Sequence, residues 1–320
     1  VIAGLVMALA LAAGQPVLAK SPYPPRPVRI LVGFPPGGGT DIIARLVVPG
    51  LSEFFGQQFF VDNLPGAAGS IAAELAAVAP RDGCTLLLAP AAFASNVSLY
   101  AKVAYDPLRD FAPVGRVAIV HNVFVTHPSV PVKSMKELVA LARERPATLV
   151  FGSAGNGSVS HLAVELLKTT AGPLNVLHVP YRGNGPAVLD LIAGEIHAMV
   201  ATLPSSAPHI ASGRLRALAV AGLKRAAPLP GVPTMEEAGF PGYEAAGWNA
   251  VLAPAGTAYD IVTRLNLAIA KVAQSRDVKE RLGTLGAEVV VDTPGEFTAY
   301  LRAEIAKWAK VVKESGAKVD

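Results

Sequence analysis

Four times in this chain a short apolar run ends in a glycine-rich or polar loop that leads straight into a helical pattern. That recurrence restricts the folds open to it. The first instance is the sharpest: Val28 to Val32 reads as a buried strand, Phe34-Pro-Pro-Gly-Gly-Gly-Thr-Asp41 makes a tight turn, and Ile42-Ile-Ala-Arg-Leu-Val begins a helix. The others run through Asp62-Asn-Leu-Pro-Gly-Ala-Ala-Gly-Ser70, Gly152-Ser-Ala-Gly-Asn-Gly-Ser158 and Pro180-Tyr-Arg-Gly-Asn-Gly-Pro186. Short apolar strands alternating with helices predict parallel sheets covered on both faces. Ligands of such sheets bind outside the carboxyl ends of the strands, which is where these loops lie.

The first loop has a definite chemistry. Three glycines let the backbone approach a ligand without Cβ atoms in the way. The free N–H groups of the first helical turn and the helix dipole favour an anion there. A P-loop needs Lys and then Ser or Thr after its last glycine, and here Thr40-Asp41 follow. The dinucleotide fingerprint fails because Gly37, Gly38 and Gly39 are consecutive. Asp41 repels a phosphate dianion unless it faces away, so a carboxylate suits the loop better. A purely structural reading is also open: Thr40 as N-cap, Asp41 as a first-turn acid, and glycines that only make the turn.

The chain has 320 residues, which suits two domains of roughly 130–150 each. Three β-loop-α units fill the first ninety residues, with strands at 28–34, 59–61 and 85–89. A β-rich run at 114–126 carries the chain into a middle section of the same design. There Ser134-Met-Lys-Glu137 reads as a capping box. Strands at 149–151, 176–179 and 198–200 alternate with helices at 159–169 and 187–193. The apolar run 215–221 leads back, past a Pro- and Gly-rich stretch at 228–247, to a strand at 248–253. Helices at 259–275, 278–285 and 294–314 follow. The expected architecture is α/β, with residues 20–115 plus 222–320 as lobe 1 and 116–221 as lobe 2, closing as a clamshell over a cleft.

Hydrophobic residues make up 52% and charged ones only 16%, with mean hydropathy +0.42, so a membrane protein has to be considered. The N-terminus accounts for much of this. Val1 to Ala13 is an uncharged apolar run and Val17-Leu-Ala19 closes it as signal peptidase prefers, so residues 1–19 read as a signal peptide and the chain as exported to the periplasm. Elsewhere no apolar stretch of about 18 residues lacks charge, Pro or Gly. The single cysteine, Cys84, reads as a small core hydrophobe. The net charge of +4 is scattered, with no basic stripe, which argues against nucleic acid. The six histidines lack ligand spacing, and no metal or cofactor is indicated.

Taken in order, the motifs resemble a known family. They are Tyr23-Pro-x-x-Pro27, Phe34-Pro-Pro-Gly-Gly-Gly-Thr-Asp41, Asn63-x-Pro-Gly-Ala-x-Gly69, Asp82-Gly-x-Thr-Leu-Leu87, Tyr105-Asp-Pro-Leu-Arg-Asp-Phe111, Gly152-Ser-x-Gly-Asn-Gly-Ser158 with His161, His178-Val-Pro-Tyr-Arg-Gly183, Pro233-Thr-Met-Glu-Glu-Ala-Gly239 and Ala253-Pro-Ala-Gly-Thr257. They resemble the Bug, or TctC-like, solute receptors of tripartite tricarboxylate transporters, over about residues 23–317. The resemblance implies a type II periplasmic-binding-protein fold whose two lobes close on a small carboxylate and then dock on a membrane permease, the receptor acting as a monomer. It further implies a ligand shell of Phe34, Gly38, Gly39, Thr40, Asp41, Gly66 and Ala67, faced by Ser153, Gly157, Ser158, His161, Tyr181, Arg182 and Gly183, with Trp248 as an aromatic wall.

Two departures stand out. Family members often carry an aspartate after the strand near Met199, where this chain has Ala201-Thr202, which weakens an amino-acid ligand. Cys84 replaces a usual aromatic. Arg182 suits a distal carboxylate or a plain surface position, His161 suits ligand contact or packing, and Trp248 suits a core position as well as a wall. Two other functions share this sequence. One is a sensor presenting its liganded form to a membrane signalling protein. The other is a hydrolase using Ser153 or Ser158, although no G-x-S-x-G elbow exists.

Overall fold

The computed structural model describes residues 23–317. The signal-peptide reading of residues 1–19 lies outside that range. The first apolar run forms β1 (Val28–Val32), followed by α1 (Gly39–Phe55), β2 (Phe59–Asn63), α2 (Ser70–Ala77), β3 (Thr85–Pro90), α3 (Ala92–Leu99) and β4 (Phe111–Val120). The middle section supplies β5 (Asn122–Thr126), α4 (Met135–Glu144), β6 (Val150–Ser153), α5 (Val159–Ala171), β7 (Leu177–Pro180), α6 (Asn184–Ala193), β8 (Ala198–Thr202), α7 (Leu203–Ala211) and β9 (Arg216–Val220). The chain ends with β10 (Gly247–Pro254), α8 (Tyr259–Ala273), α9 (Arg276–Thr284), β11 (Ala287–Val289) and α10 (Pro294–Ser315).

These strands make two sheets with one plan. The first has the order β11-β4-β10-β3-β1-β2 and the second β7-β6-β8-β5-β9. In each, a central strand (β1 or β6) pairs in parallel with the two that follow it. An antiparallel strand comes next, β10 in the first sheet and β5 in the second. Each antiparallel strand is the one on which the chain arrives from the other sheet. β5 follows β4 with only His121 between them, and β10 follows β9 after a long coil at 221–246. This is the bilobed type II periplasmic-binding-protein arrangement.

Three local features differ from the sequence expectations. The 114–126 run is not one strand: it breaks at His121, whose N–H donates to the Gly286 carbonyl and whose carbonyl accepts from Leu203 N. The two halves then pair in different sheets. Helices α3 and α7 and strand β11 were not expected. Helix α3 buries Ala92, Phe93, Ala94, Ser95, Asn96 and Leu99, so no polar face betrays its period. In α7, Pro204 sits in the first turn, where its missing N–H costs nothing, but Pro208 interrupts the pattern. Strand β11 is three residues long. At α4 the expected capping box is half present: Ser134 accepts from Glu137 N, while the Glu137 carboxylate takes the N–H of Lys133 rather than of Ser134.

Helix α10 ties the halves together. It packs on α3, which follows the first sheet's β3, and on α5, which follows the second sheet's β6. At its centre the buried Glu304 carboxylate accepts the indole N–H of Trp248 (3.0 Å) and of Trp308 (3.2 Å) on Oε2, and the Lys307 ammonium on Oε1 (3.3 Å). Arg116 beside it pairs with Asp292 and lies 3.8 Å over the Tyr300 ring. Removing Glu304 leaves two buried N–H donors without an acceptor. Glu304→Ala is expected to lower unfolding free energy by about 2–4 kcal/mol, with Glu304→Gln losing less because one acceptor remains. Denaturant midpoints at unchanged m-value measure this. A loss under about 1 kcal/mol for the alanine variant would mean that the indoles find other acceptors.

Candidate functional site

The carboxyl ends of the two parallel strand sets face each other, and a cavity of about 50 Å³ lies between them. Its lining comes from the first turns of five helices: Gly38, Gly39 and Thr40 of α1, Ala91 and Ala92 of α3, Ser158, Val159 and Ser160 of α5, Asn184 of α6, and Thr202 before α7. Four of these N-termini have no side-chain cap; only α5 is capped, by the Ser158 hydroxyl. Helix amino ends therefore converge from both lobes, although in α7 the Leu203 N–H is taken by the His121 carbonyl and Pro204 has none. Phe34, Pro90, Val120, Asn122, Ala154, Gly247, Trp248 and Asn249 complete the wall, and no lining side chain is ionisable. Neutral donors and five positive dipole ends make a site for an anion.

The first loop keeps its shape through Asp41. This nearly buried carboxylate accepts the Gly37 N–H (2.9 Å), the Arg45 guanidinium (3.0 Å) and the Asn63 amide (2.9 Å). Burial pushes its pKa up, but these bonds outweigh that and hold it below the usual carboxylate range. Asp41 is thus turned away from the cavity, in correction of its place among the expected contacts. Thr40 is not the N-cap either; Gly38 is, and Thr40 lines the cavity in the first turn. At Gly39 a Cβ would stand 2.6 Å from Thr202 Oγ1 of the facing lobe, so the glycine is there for close approach and not for a special φ.

The second loop is strained. Gly66, Ala67, Ala68 and Gly69 all have positive φ (143°, 46°, 49° and 92°), and for the two alanines this is unfavourable by about 1–2 kcal/mol each. Asn96 on α3 fixes the turn by donating to the Ala68 carbonyl (3.2 Å) and the Ser70 hydroxyl (3.0 Å). Gly66 and Ala67 do not reach this cavity. They line an outer one of about 180 Å³, with Tyr100, Gly155, Asn156, Tyr181 and Arg182. Phe34 and Ala154 border both spaces.

The second lobe's expected residues divide in the same way. Ser158 lines the enclosed cavity, while Tyr181 and the exposed Arg182 line the outer one. The Tyr181 hydroxyl donates to Asp190 (2.8 Å), and burial together with that carboxylate pushes its pKa up to about 12. Ser153, Gly157, His161 and Gly183 border neither space. His161 accepts the Gly157 N–H on Nδ1 and stacks on His178 at 4.5 Å, so it holds the loop from behind. Burial lowers the pKa of both rings, that of His178 to about 4 with help from His161. Gly157 accepts from Ser95 of α3, and Gly183 lies against Pro35 of the first loop; both are contacts between lobes. Trp248 borders the cavity, but its indole is bound to Glu304 and packs on Phe297 and Tyr300, so the ring belongs to the core. Ser153 lies 2.7 Å from His178 Nε2, a nucleophile–base distance, yet it is fully buried and out of a substrate's reach.

Five polar residues of the cavity are not among those expected from the sequence: Asn122, Ser160, Asn184, Thr202 and Asn249. The signal was present for Asn184, inside the loop Pro180–Pro186. Asn122 and Asn249 sit in runs that read only as buried strand, and Thr202 was noted only as a departure.

A family model described as the tripartite tricarboxylate transporter family receptor, TctC, matches residues 43–317. Protein BugT of Bordetella pertussis is 40% identical over 306 residues, covering 95% of this chain and 93% of its own length. Among solved structures, R. palustris Rpa4515 with adipate aligns with a TM-score of 0.89 at 41% identity, over 93% of this chain and 100% of that one. MatC from Rhodopseudomonas palustris with bound malate aligns with a TM-score of 0.87 at 32% identity, over 91% and 100%. The matching family is described as one of receptors, in keeping with a Ser–His pair sealed inside the second lobe. With its two-lobed fold and the match over most of its length, the chain belongs to the TctC family of tripartite tricarboxylate transporter receptors.

Proposed function

We propose that this protein is a periplasmic receptor that captures a small carboxylate between its lobes and delivers it to the membrane subunits of a tripartite tricarboxylate-type transporter. The observation that carries this reading is the convergence of five helix N-termini on an uncharged cavity. Helices α1 and α3 come from the first lobe and α5, α6 and α7 from the second. A carboxylate there accepts from both lobes at once, and it gains all of those bonds only in the closed form. Such differential affinity shifts the population towards closure. The lobe-to-lobe contacts of Gly39 with Thr202, Gly183 with Pro35, and the Tyr100 hydroxyl with the Asn156 carbonyl (2.9 Å) accompany it. Phe34, Gly38, Gly39, Thr40 and Ser158 form the inner site in this proposal, with Gly66, Ala67, Tyr181 and Arg182 around its outer part. The relatives solved with adipate and malate support a carboxylate ligand.

Two measurements test the proposal. After unfolding and refolding to strip bound ligand, a thermal-shift panel of mono-, di- and tricarboxylates should raise Tm with at least one acid class. At 100 times Kd the stabilisation is about 2.7 kcal/mol, or several degrees. Amines and neutral sugars should give nothing; no shift with any acid in a folded sample would count against the reading. Gly39→Val should weaken the affinity for the best acid at least tenfold, because its side chain meets Thr202 and keeps the lobes apart. Small-angle scattering should then show no compaction on adding that acid, with circular dichroism unchanged. Wild-type affinity in this variant would remove the first loop from the site.

A further inference from the structure

Two stacked imidazoles hold the loop between β6 and α5, and capture of an anion by helix ends uses neither. His161 of α5 is buried, and its Nδ1 accepts the Gly157 N–H (3.2 Å). That bond puts the ring's proton on Nε2, which lies 3.9 Å from the Glu165 carboxylate. His178 of β7 stacks on the ring at 4.5 Å. Its Nε2 meets the Ser153 hydroxyl (2.7 Å), which in turn accepts the Gly155 N–H (3.2 Å). The pair thus fixes Gly155 and Gly157. The other side of the same loop meets the opposite lobe. Ser95 donates to the Gly157 carbonyl (3.3 Å), Tyr100 donates to the Asn156 carbonyl (2.9 Å), and a Cβ on Gly157 would stand 2.5 Å from Leu99. Ser158, at the end of the loop, lines the inner cavity.

A second proton on His161 has one place to go, Nδ1, where it would face the Gly157 N–H donor to donor. Gly157 then loses its acceptor, and the loop has to move off the ring. The surrounding charges do not offset this. Glu165 faces Nε2, which already carries a proton, and is paired with Lys168 (2.7 Å). His178 is the other titratable group against the ring. Among the described residues, β6, β8 and α3 carry no charge, and α10, which also packs on α5, adds none that acts on the ring. Neutral rings therefore hold the loop, and burial keeps both of them neutral near pH 7. Resting on the receptor reading above, we propose that His161 is a positioning residue whose protonation frees the 155–158 loop from its closed position, so that the receptor releases its carboxylate in acidic surroundings. Because the closed form lowers the imidazole pKa, the stabilisation is complete above the ordinary value of about 6.5 and is lost as pH falls through the lowered one.

Imidazole nitrogen NMR and amide exchange on the refolded protein, with titration calorimetry of acetate, malate, adipate, citrate and benzoate, test this. Near neutral pH the His161 ring should be the Nε2–H tautomer. Between about pH 7.5 and about pH 5 the protection factor of the Gly157 amide should fall at least roughly tenfold. In His161→Asn, whose Oδ1 accepts the same N–H but does not titrate, it should hold steady; in His161→Ala, which lacks the acceptor, it should be low at both pH values. Each acid loses some affinity as its own carboxylate takes up protons, and that loss is common to all the proteins. Over the same pH interval the wild type should lose about three- to tenfold more affinity than His161→Asn. An Nδ1–H tautomer, unchanged Gly157 protection in the wild type, or an equal loss of affinity in wild type and His161→Asn overturns the proposal and leaves the carboxylate reading standing. If none of the five acids binds at either pH, both fall.

Discussion

The first amides of a helix have no partner within it, and something must meet them. In this protein the amino ends of five helices border one cavity, four of them without a side-chain cap. Much of the remaining architecture arranges that meeting. Two parallel strand trios turn their carboxyl ends towards each other, and the loops after five of those six strands lead into helices whose amino ends border the cavity, α2 after β2 being the exception. Had the lining held a lysine or arginine, that side chain could have answered an anion from one lobe alone. With neutral donors distributed over both lobes, the anion is fully bound only when the lobes meet.

Donors work as a preformed site only if their loops hold still without the ligand, and the buried charges are used for that. Asp41 ties Gly37, Arg45 and Asn63 together behind the first loop. The strained Ala67 and Ala68 are held by Asn96, and His161 accepts from the Gly157 amide behind the third loop. In each case the ionisable or strongly polar group is one step removed from the cavity. The ligand-facing surface is left to backbone amides, hydroxyls and carboxamides, whose protonation does not vary with pH.

Much of this was legible in the sequence. The alternation of apolar runs with loops indicates two α/β lobes, and the glycines before Thr40 mark a loop that lines the cavity. What was not legible has physical causes. Helix α3 is buried on nearly every side and shows no period. The break at His121 depends on which sheet each half pairs with, a long-range choice with no local signal. Asp41 and His161 entered the expected shell through the family resemblance, but Asp41 is bound to Gly37, Arg45 and Asn63, and His161 to the Gly157 amide and the His178 ring. Asn249 and Asn122 were invisible because one asparagine inside an apolar strand looks like an exception to burial. Only the fold shows that both border the cavity.

The cavity is thus defined by hydrogen-bond polarity rather than by charge, which bears on release as much as on capture. A buried ion pair, once desolvated, is held by strong attraction and is difficult to open. A carboxylate held by neutral amides can exchange them for water as the lobes separate, each lobe keeping its own donors. The carboxamides of Asn122, Asn184 and Asn249 add neutral hydrogen-bonding side chains to the cavity wall, beyond what the helix ends supply. Attraction of an anion then comes from the helix ends, while these carboxamides are side chains that substitution can change. The two kinds of group are different atoms of one wall, so a substitution in a strand can alter the side chains while the helix ends that favour an anion stay as they are.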